Sequence, residues 1–186
     1  AAARPRPSNS PPAATTGTPP NTNSRLLTVG SDVVFREKIT TTAEGQAQIL
    51  FLDQSALMIG PNSEVTLDEF VYDPNTGKGN LVASLSQGAF RFIGGKLSKQ
   101  GNATLRTPVA TIGIRGTGGY LEADPGRTYF CLCYGIADLE PVNRPELRQV
   151  LLVPGSEDAI VETTGVRCYR LRGPLIPFQA SYRFLL

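Results

Sequence analysis

Histidine and tryptophan are missing from this 186-residue chain, which holds one methionine and three cysteines. Without histidine there is no imidazole for general acid–base work, for a Ser-His-Asp or Cys-His nucleophile, or for a metal site. Charge is sparse: Asp, Glu, Lys and Arg make up 18% of the residues, and a net charge of +2 gives no general attraction for nucleic acid. No apolar run approaches the roughly 18 to 20 residues that span a bilayer, so no transmembrane segment is expected. Asp53, Glu64, Asp68, Glu69 and Asp73 lie close in sequence, and a carboxylate pair is what glycoside hydrolysis needs. Glu64 and Asp68, however, fall on the polar face of an alternating segment, Asp73 precedes Pro74 in a turn, and the chain has no tryptophan to line a sugar site. No enzyme is expected. A calcium loop at "DPNTGKGN" (73–80) would offer Asp73 and Asn75 but no further carboxylate. Neither a metal nor another cofactor is expected.

Apolar side chains are also missing from the start. Residues 1–24 contain no Val, Ile, Leu, Phe or Tyr, but hold Pro5, Pro7, Pro11, Pro12, Pro19 and Pro20. Such a stretch cannot bury enough surface to offset its ordering entropy. The expectation is a polyproline-like arm over residues 1–25, held still only by a partner and making few contacts with its own domain. Arg4, Arg6 and Arg25 are the only charged residues before Asp32, so the arm carries the positive excess of the chain. Arg4, Arg6, Pro11, Pro12, Pro19 and Pro20 are the candidate partner-binding residues. The first residue is Ala1 rather than Met. Cleavage of a signal peptide ahead of it is one expectation, and an incomplete start is the other.

What is present from Leu26 onward is a period of two. "GQAQILFLD" alternates Gln46 and Gln48 with Ala47, Ile49 and Phe51, and "SEVTLDEF" sets Glu64, Thr66 and Asp68 against Val65 and Leu67. "LVASL" and "AFRFI" place Leu81, Ala83 and Leu85, then Phe90 and Phe92, on one side. This is the mark of half-buried strands. Turn signals fall between them at 43–45, 52–55, 60–63, 73–80, 86–88, 94–96 and 124–126. Their spacing predicts an all-β sandwich, barrel or short β-solenoid of many short strands, preceded by the extended arm. "PELRQVLL" (145–152) is compatible with a helical turn or a strand. "QVLLV", "AIVET" and "VRCYRL" read as strands, in a C-terminal extension over 141–186 whose apolar tail "PLIPFQASYRFLL" should be docked.

"TPVATIGIRGTGGY" (107–120) gathers Gly113, Gly116, Gly118 and Gly119 around Arg115. A glycine-rich turn with a cation can cradle phosphate, but the spacing matches neither phosphate-loop pattern, and a hairpin rather than a helix follows. The glycines then serve positive φ or close strand approach. Arg115, Gly113 and Gly116 are expected to be structural, with the Arg115 guanidinium tied to carbonyls or a carboxylate. Cys131 and Cys133 lie two apart on one strand and should face the same way. Either could bridge to Cys168. Buried thiols and a bond to another chain are the alternatives.

Three blocks in order, "KITTTAEGQAQILFLDQSALMIGPNSEVTLDEFVYDP", "LSQGAFRFIGGK" and "LRTPVATIGIRGT", resemble the FecR domain, over about Val29 to Leu139. The resemblance implies an all-β domain, placed here at 26–140, an extracytoplasmic setting (periplasm, cell surface or secreted) and protein interaction, with no catalytic residues. Sigma-factor regulators of that family carry a cytoplasmic helical segment and a transmembrane helix ahead of the domain, where this chain has a Pro-rich arm. The expected function is therefore a non-enzymatic protein-binding and scaffolding subunit of an envelope or extracellular assembly, a homo- or hetero-oligomer held through the arm and the C-terminal tail. The alternative is the periplasmic sensor portion of a FecR-type sigma-factor signalling regulator.

Overall fold

The computed structural model describes residues 14–153 and the strand at 167–172. Twelve strands form one mixed sheet: β1 (Thr15–Thr18), β2 (Arg25–Leu26), β3 (Lys38–Thr41), β4 (Ala47–Leu50), β5 (Ala56–Ile59), β6 (Glu64–Tyr72), β7 (Gly79–Ile93), β8 (Ala103–Arg106), β9 (Ala110–Asp124), β10 (Arg127–Pro141), β11 (Gln149–Val153) and β12 (Arg167–Arg172). One helical turn, α1 (Lys96–Lys99), joins β7 to β8, and a 3₁₀ turn at 145–147 precedes β11. The alternating residues point as their period requires. Ile49, Val65, Leu81, Leu85, Phe90 and Phe92 enter a single core with Leu105, Ile112, Leu121, Phe130 and Leu132. Full burial of side chains of this size is worth roughly 1.5–3 kcal/mol each.

Long strands that change partners halfway give the sheet its shape. The first half of β7 pairs with β6 and, in parallel, with β8. Its second half pairs with β5 and β9. A straight β7 is impossible. Leu81 lies opposite Ala103, and twelve residues separate Leu81 from Ile93, a span of about 40 Å at ~3.3 Å per residue. The ten steps from Ile93 to Ala103 reach at most ~36 Å when extended and less with a helical turn among them. The bend falls at Gly88, whose φ is +111°. There the β6 register skips from Gln87 to Leu85. The 86–88 turn signal is thus corrected: the chain bends there within one strand and does not reverse.

Residues 14–25 correct the arm. β1 pairs with β3 over four residues and with β2, and the Ala14 N–H donates to Thr42 Oγ1 at 3.0 Å. Thr15, Thr16 and Thr18 have no apolar bulk, yet as β-branched residues they suit a strand. Thr15 and Gly17 are buried. Pro19 and Pro20 lie in the connection between β1 and β2. Arg4, Arg6, Pro11 and Pro12 lie outside the described residues. The C-terminal extension is likewise continuous with the sheet: β10 runs through residue 140 to Pro141, and β11 and β12 both pair with it. "QVLLV" and "VRCYRL" are strands, while "AIVET" and the apolar tail lie outside the described residues.

Candidate functional site

The buried polar residues mostly hold the fold. Asp53, one of the carboxylates considered for catalysis, is fully buried. Its side chain accepts from Ser55 N (3.0 Å), Ser55 Oγ (2.7 Å) and Leu97 N (3.1 Å), which staples the 52–55 turn to α1. Asp68 accepts from Ser84 Oγ on β7 at 2.6 Å, and Glu64 pairs with Lys38 on β3 at 2.7 Å. Asp73 caps the β6–β7 turn, accepting from Asn75 N and Thr76 Oγ1. The Thr76 bond, followed by that of Asn75, lowers its pKa below the ordinary carboxylate value. Asp53, Glu64, Asp68 and Asp73 are thus each engaged by a named partner. Among the described residues no three His, Cys, Asp or Glu side chains gather as metal ligands.

The glycine-rich stretch lies inside β9, with no helix after it. Arg115 donates to Asp138 Oδ2 on β10 at 2.6 Å, and Arg148 Nη2 stands 3.2 Å from Oδ1 of the same carboxylate. Gly113 faces Asp138 across the strand pair, and a Cβ on it would sit 3.4 Å from Asp138 Cβ. Gly116 takes φ +57°, a left-handed conformation that suits glycine. A second clamp was not legible. Glu37 is fully buried and receives Arg25 Nε (3.1 Å), Arg25 Nη2 (3.0 Å) and Val34 N (2.9 Å). A Cβ on Gly17 would meet Glu37 Oε1.

Cys131 is disulfide-bonded and Cys133 is a free, half-buried thiol. The backbone of Cys168 lies opposite Cys131 in the β10–β12 register.

A row of side chains crosses four strands on the face away from the core. Gln48 pairs with Met58, Met58 with Arg91, and Arg91 with Tyr120, from β4 through β5 and β7 to β9. Directly paired residues project from the same side, so the row forms the floor of an open groove of about 520 Å³ that Gln46 and Ala89 also line. Arg91 is exposed and has no carboxylate partner among the described residues. Tyr120 donates to Glu122 at 2.7 Å. Loss of solvent, helped by that carboxylate, pushes its pKa up to about 12, so its hydroxyl stays protonated at any ordinary pH. Tyr134 lies against Gly118, where a Cβ would come within 2.6 Å of its ring. Burial raises its pKa, Cys133 adds to the rise, and Arg91 opposes it. β4 pairs only with β5 among the described residues and exposes Leu50, with Leu52 just beyond. This face carries the Arg91 cation and, beside Tyr120 on β9, the Glu122 carboxylate, and it offers amide, thioether and phenol groups. Sequence reading missed Arg91 and Tyr120, because only the register brings residues thirty apart into one row.

Residues 37–135 match the family described as FecR protein. No curated protein matches the chain. Two crystal structures of a candidate anti-sigma factor from Parabacteroides distasonis ATCC 8503, at 1.65 and 2.50 Å resolution, share the fold at 13% identity, with TM-scores of 0.53 and 0.54. The match covers 74% of this chain and 55% of that one, so the chain spans about half the length of the structures it resembles. Among the described residues no helix is long and apolar enough to cross a membrane.

Proposed function

The chain belongs to the FecR protein family, and from that premise we propose that it is the sensor portion of a FecR-type signalling regulator, acting outside the cytoplasm by binding another protein. The groove across β4, β5, β7 and β9 carries the binding role, since it is an open, largely neutral face with an unmatched arginine. The fold likeness to a candidate anti-sigma factor favours signalling over a scaffold. The scaffold reading took a Pro-rich arm in place of the regulators' membrane helix and expected that arm to hold a partner, and the pairing of β1 with β3 takes the second of these supports from residues 14–25. The disulfide at Cys131 suits an oxidising compartment.

The test places a photo-crosslinking residue at Met58, or at Val142 as a control, in the protein as produced by its own cells. The Arg91→Glu variant is profiled alongside for transcripts. The reading expects a specific protein adduct at Met58, no such adduct at Val142, and altered expression of a small set of genes served by one alternative sigma factor. Absence of both the adduct and the transcript change overturns it.

A further inference from the structure

We propose that β4 is the strand at which two copies of this chain join, antiparallel about a two-fold axis beside Ile49, so that their sheets become one. β4 pairs with β5 and with no other strand among the described residues. Phe51 N–H donates to the Ser55 carbonyl at 2.9 Å, which makes Phe51 and Ser55 a hydrogen-bonded pair. Such pairs alternate along an antiparallel ladder. Ala47 and Ile49 therefore bond to β5, while Gln48 and Leu50 turn their N–H and C=O groups to the open edge. The Gln46 carbonyl has the same phase, since it accepts from Thr15 Oγ1 on β1 at 3.1 Å.

Nothing in the sequence guards this edge. Natural sheets protect an open strand with charge, proline, a bulge or very short length. Residues 46–52 read "QAQILFL", with no charged residue, proline or glycine, and the β4–β5 register runs without a break. By contrast β2, at another edge of the sheet, is two residues long and carries Arg25. Leu50 is 74% exposed and Leu52 76%.

A second copy fits because the edge is complementary to itself. Thr15 occupies the Gln46 end and the 52–55 turn closes the other, so Gln48 and Leu50 carry the open ladder. Gln48 set opposite the partner's Leu50, and Leu50 opposite the partner's Gln48, satisfies the outward N–H and C=O of each. Ile49 then lies beside the partner's Ile49 on the core face. No like charges meet. The two Arg91 side chains stand about five strand spacings apart, roughly 24 Å, well beyond the ~8 Å screening length of physiological salt.

The joining also completes the groove. Directly paired residues share a face, so the two-fold axis sets both grooves on one side of the joined sheet. Each groove is rimmed on β4 by Gln46 and Gln48, and the partner's Leu50 adds an apolar wall beside Gln48. β4 is only four residues long, so the dimer is weak and concentration-dependent, as interfaces below ~1,200 Å² are. A strand of another protein would find the same backbone ladder, and the test separates the two.

The test uses the purified full chain, so it does not depend on finding the protein sought at Met58. Sedimentation equilibrium is measured between about 1 µM and 1 mM, the range in which small interfaces associate. Hydrogen exchange of the Gln48 and Leu50 amides is read over the same range. The natural chain should dimerise, and both amides should slow their exchange as it does. Gln48→Pro removes an N–H that β5 does not use, so it should melt near the natural chain and stay monomeric. Gln48→Lys/Leu50→Lys sets like charges opposite one another and should weaken the dimer about tenfold or more. Gln48→Lys/Leu50→Glu sets opposite charges across the same pairs. It should dimerise about tenfold or more better than the first double variant, and lose that gain at high salt. A natural chain that stays monomeric overturns the proposal, as does a dimeric Gln48→Pro. Slow exchange of both amides at the lowest concentration, where the chain covers its own edge, also overturns it, and so does slowing only on addition of another protein. Equal dimerisation of the two double variants would place the contact elsewhere and overturns it too.

Discussion

Arg115 and Asp138 are diagonal neighbours across the β9–β10 pair, with Nη2 2.6 Å from Oδ2, and Gly113 opposite Asp138 leaves that diagonal clear. The arginine is half exposed, but the Asp138 side chain keeps only 11% of its surface. Its charge therefore needs company, and Arg148 supplies a second cation from the other side.

Arg115→Ala alone should cost only about 0.2–1 kcal/mol, as for an exposed pair, because Arg148 still faces the carboxylate. The Arg115→Ala/Arg148→Ala double variant should cost about 3 kcal/mol or more, since it leaves a buried charge alone. Thermal unfolding of the four proteins of this cycle reads the difference, at ~2–4 °C per kcal/mol for a chain of this size. Additive single effects would show that the two arginines do not share Asp138.

A chain starting at Thr22 should melt lower than one starting at Ala14 by several degrees. The deletion strips β1 from β3 and exposes the Ile39 strand on that edge. The expected loss is about 1–3 kcal/mol, the usual range for removal of a packed, hydrogen-bonded feature. Equal melting temperatures would show that β1 adds nothing to the domain.

Gly88→Ala should be among the most damaging single changes outside the core. The new Cβ would meet Ser63 Cα at 2.5 Å and would be held at φ +111°. Left-handed strain and overpacking together amount to roughly 2–4 kcal/mol. Urea unfolding measures it, and Gly126→Ala, in an exposed turn with only Asp124 nearby at 4.0 Å, is the comparison. A Gly88→Ala midpoint equal to that of Gly126→Ala would remove the bend from the account of β7.

Tyr120 should titrate near 12, above the ordinary tyrosine value of 10.0. A raised pKa means that its stabilising share is fully present below pH 10 and lost as pH climbs through 12. Tyrosinate absorbance followed against pH should lose its highest component in Tyr120→Phe. A Tyr120→Phe difference curve centred near 10 would mean that burial and Glu122 do not hold the proton.

Features that depend on neighbours along the chain were legible before any strand pairing was known. Alternation in "SEVTLDEF" and "LVASL" set which side chains face the core, because a strand repeats every two residues whatever pairs with it. "DPG" and "DPNTGKGN" set hairpin turns, because turn chemistry is local. The absence of histidine narrowed the chemistry before any fold was known. The three FecR-like blocks named the family. Tertiary structure decided what depends on register. Gln48, Met58, Arg91 and Tyr120 make one row only after four strands pair. Glu37 can be buried only because the fold brings Arg25 and the Val34 N–H to it. Gly88 reads as a turn until the short connector through α1 forces β7 to bend instead. "TTGT" reads as disorder for want of apolar bulk, yet β3 offers it a free edge, and backbone hydrogen bonds do not depend on side-chain hydrophobicity.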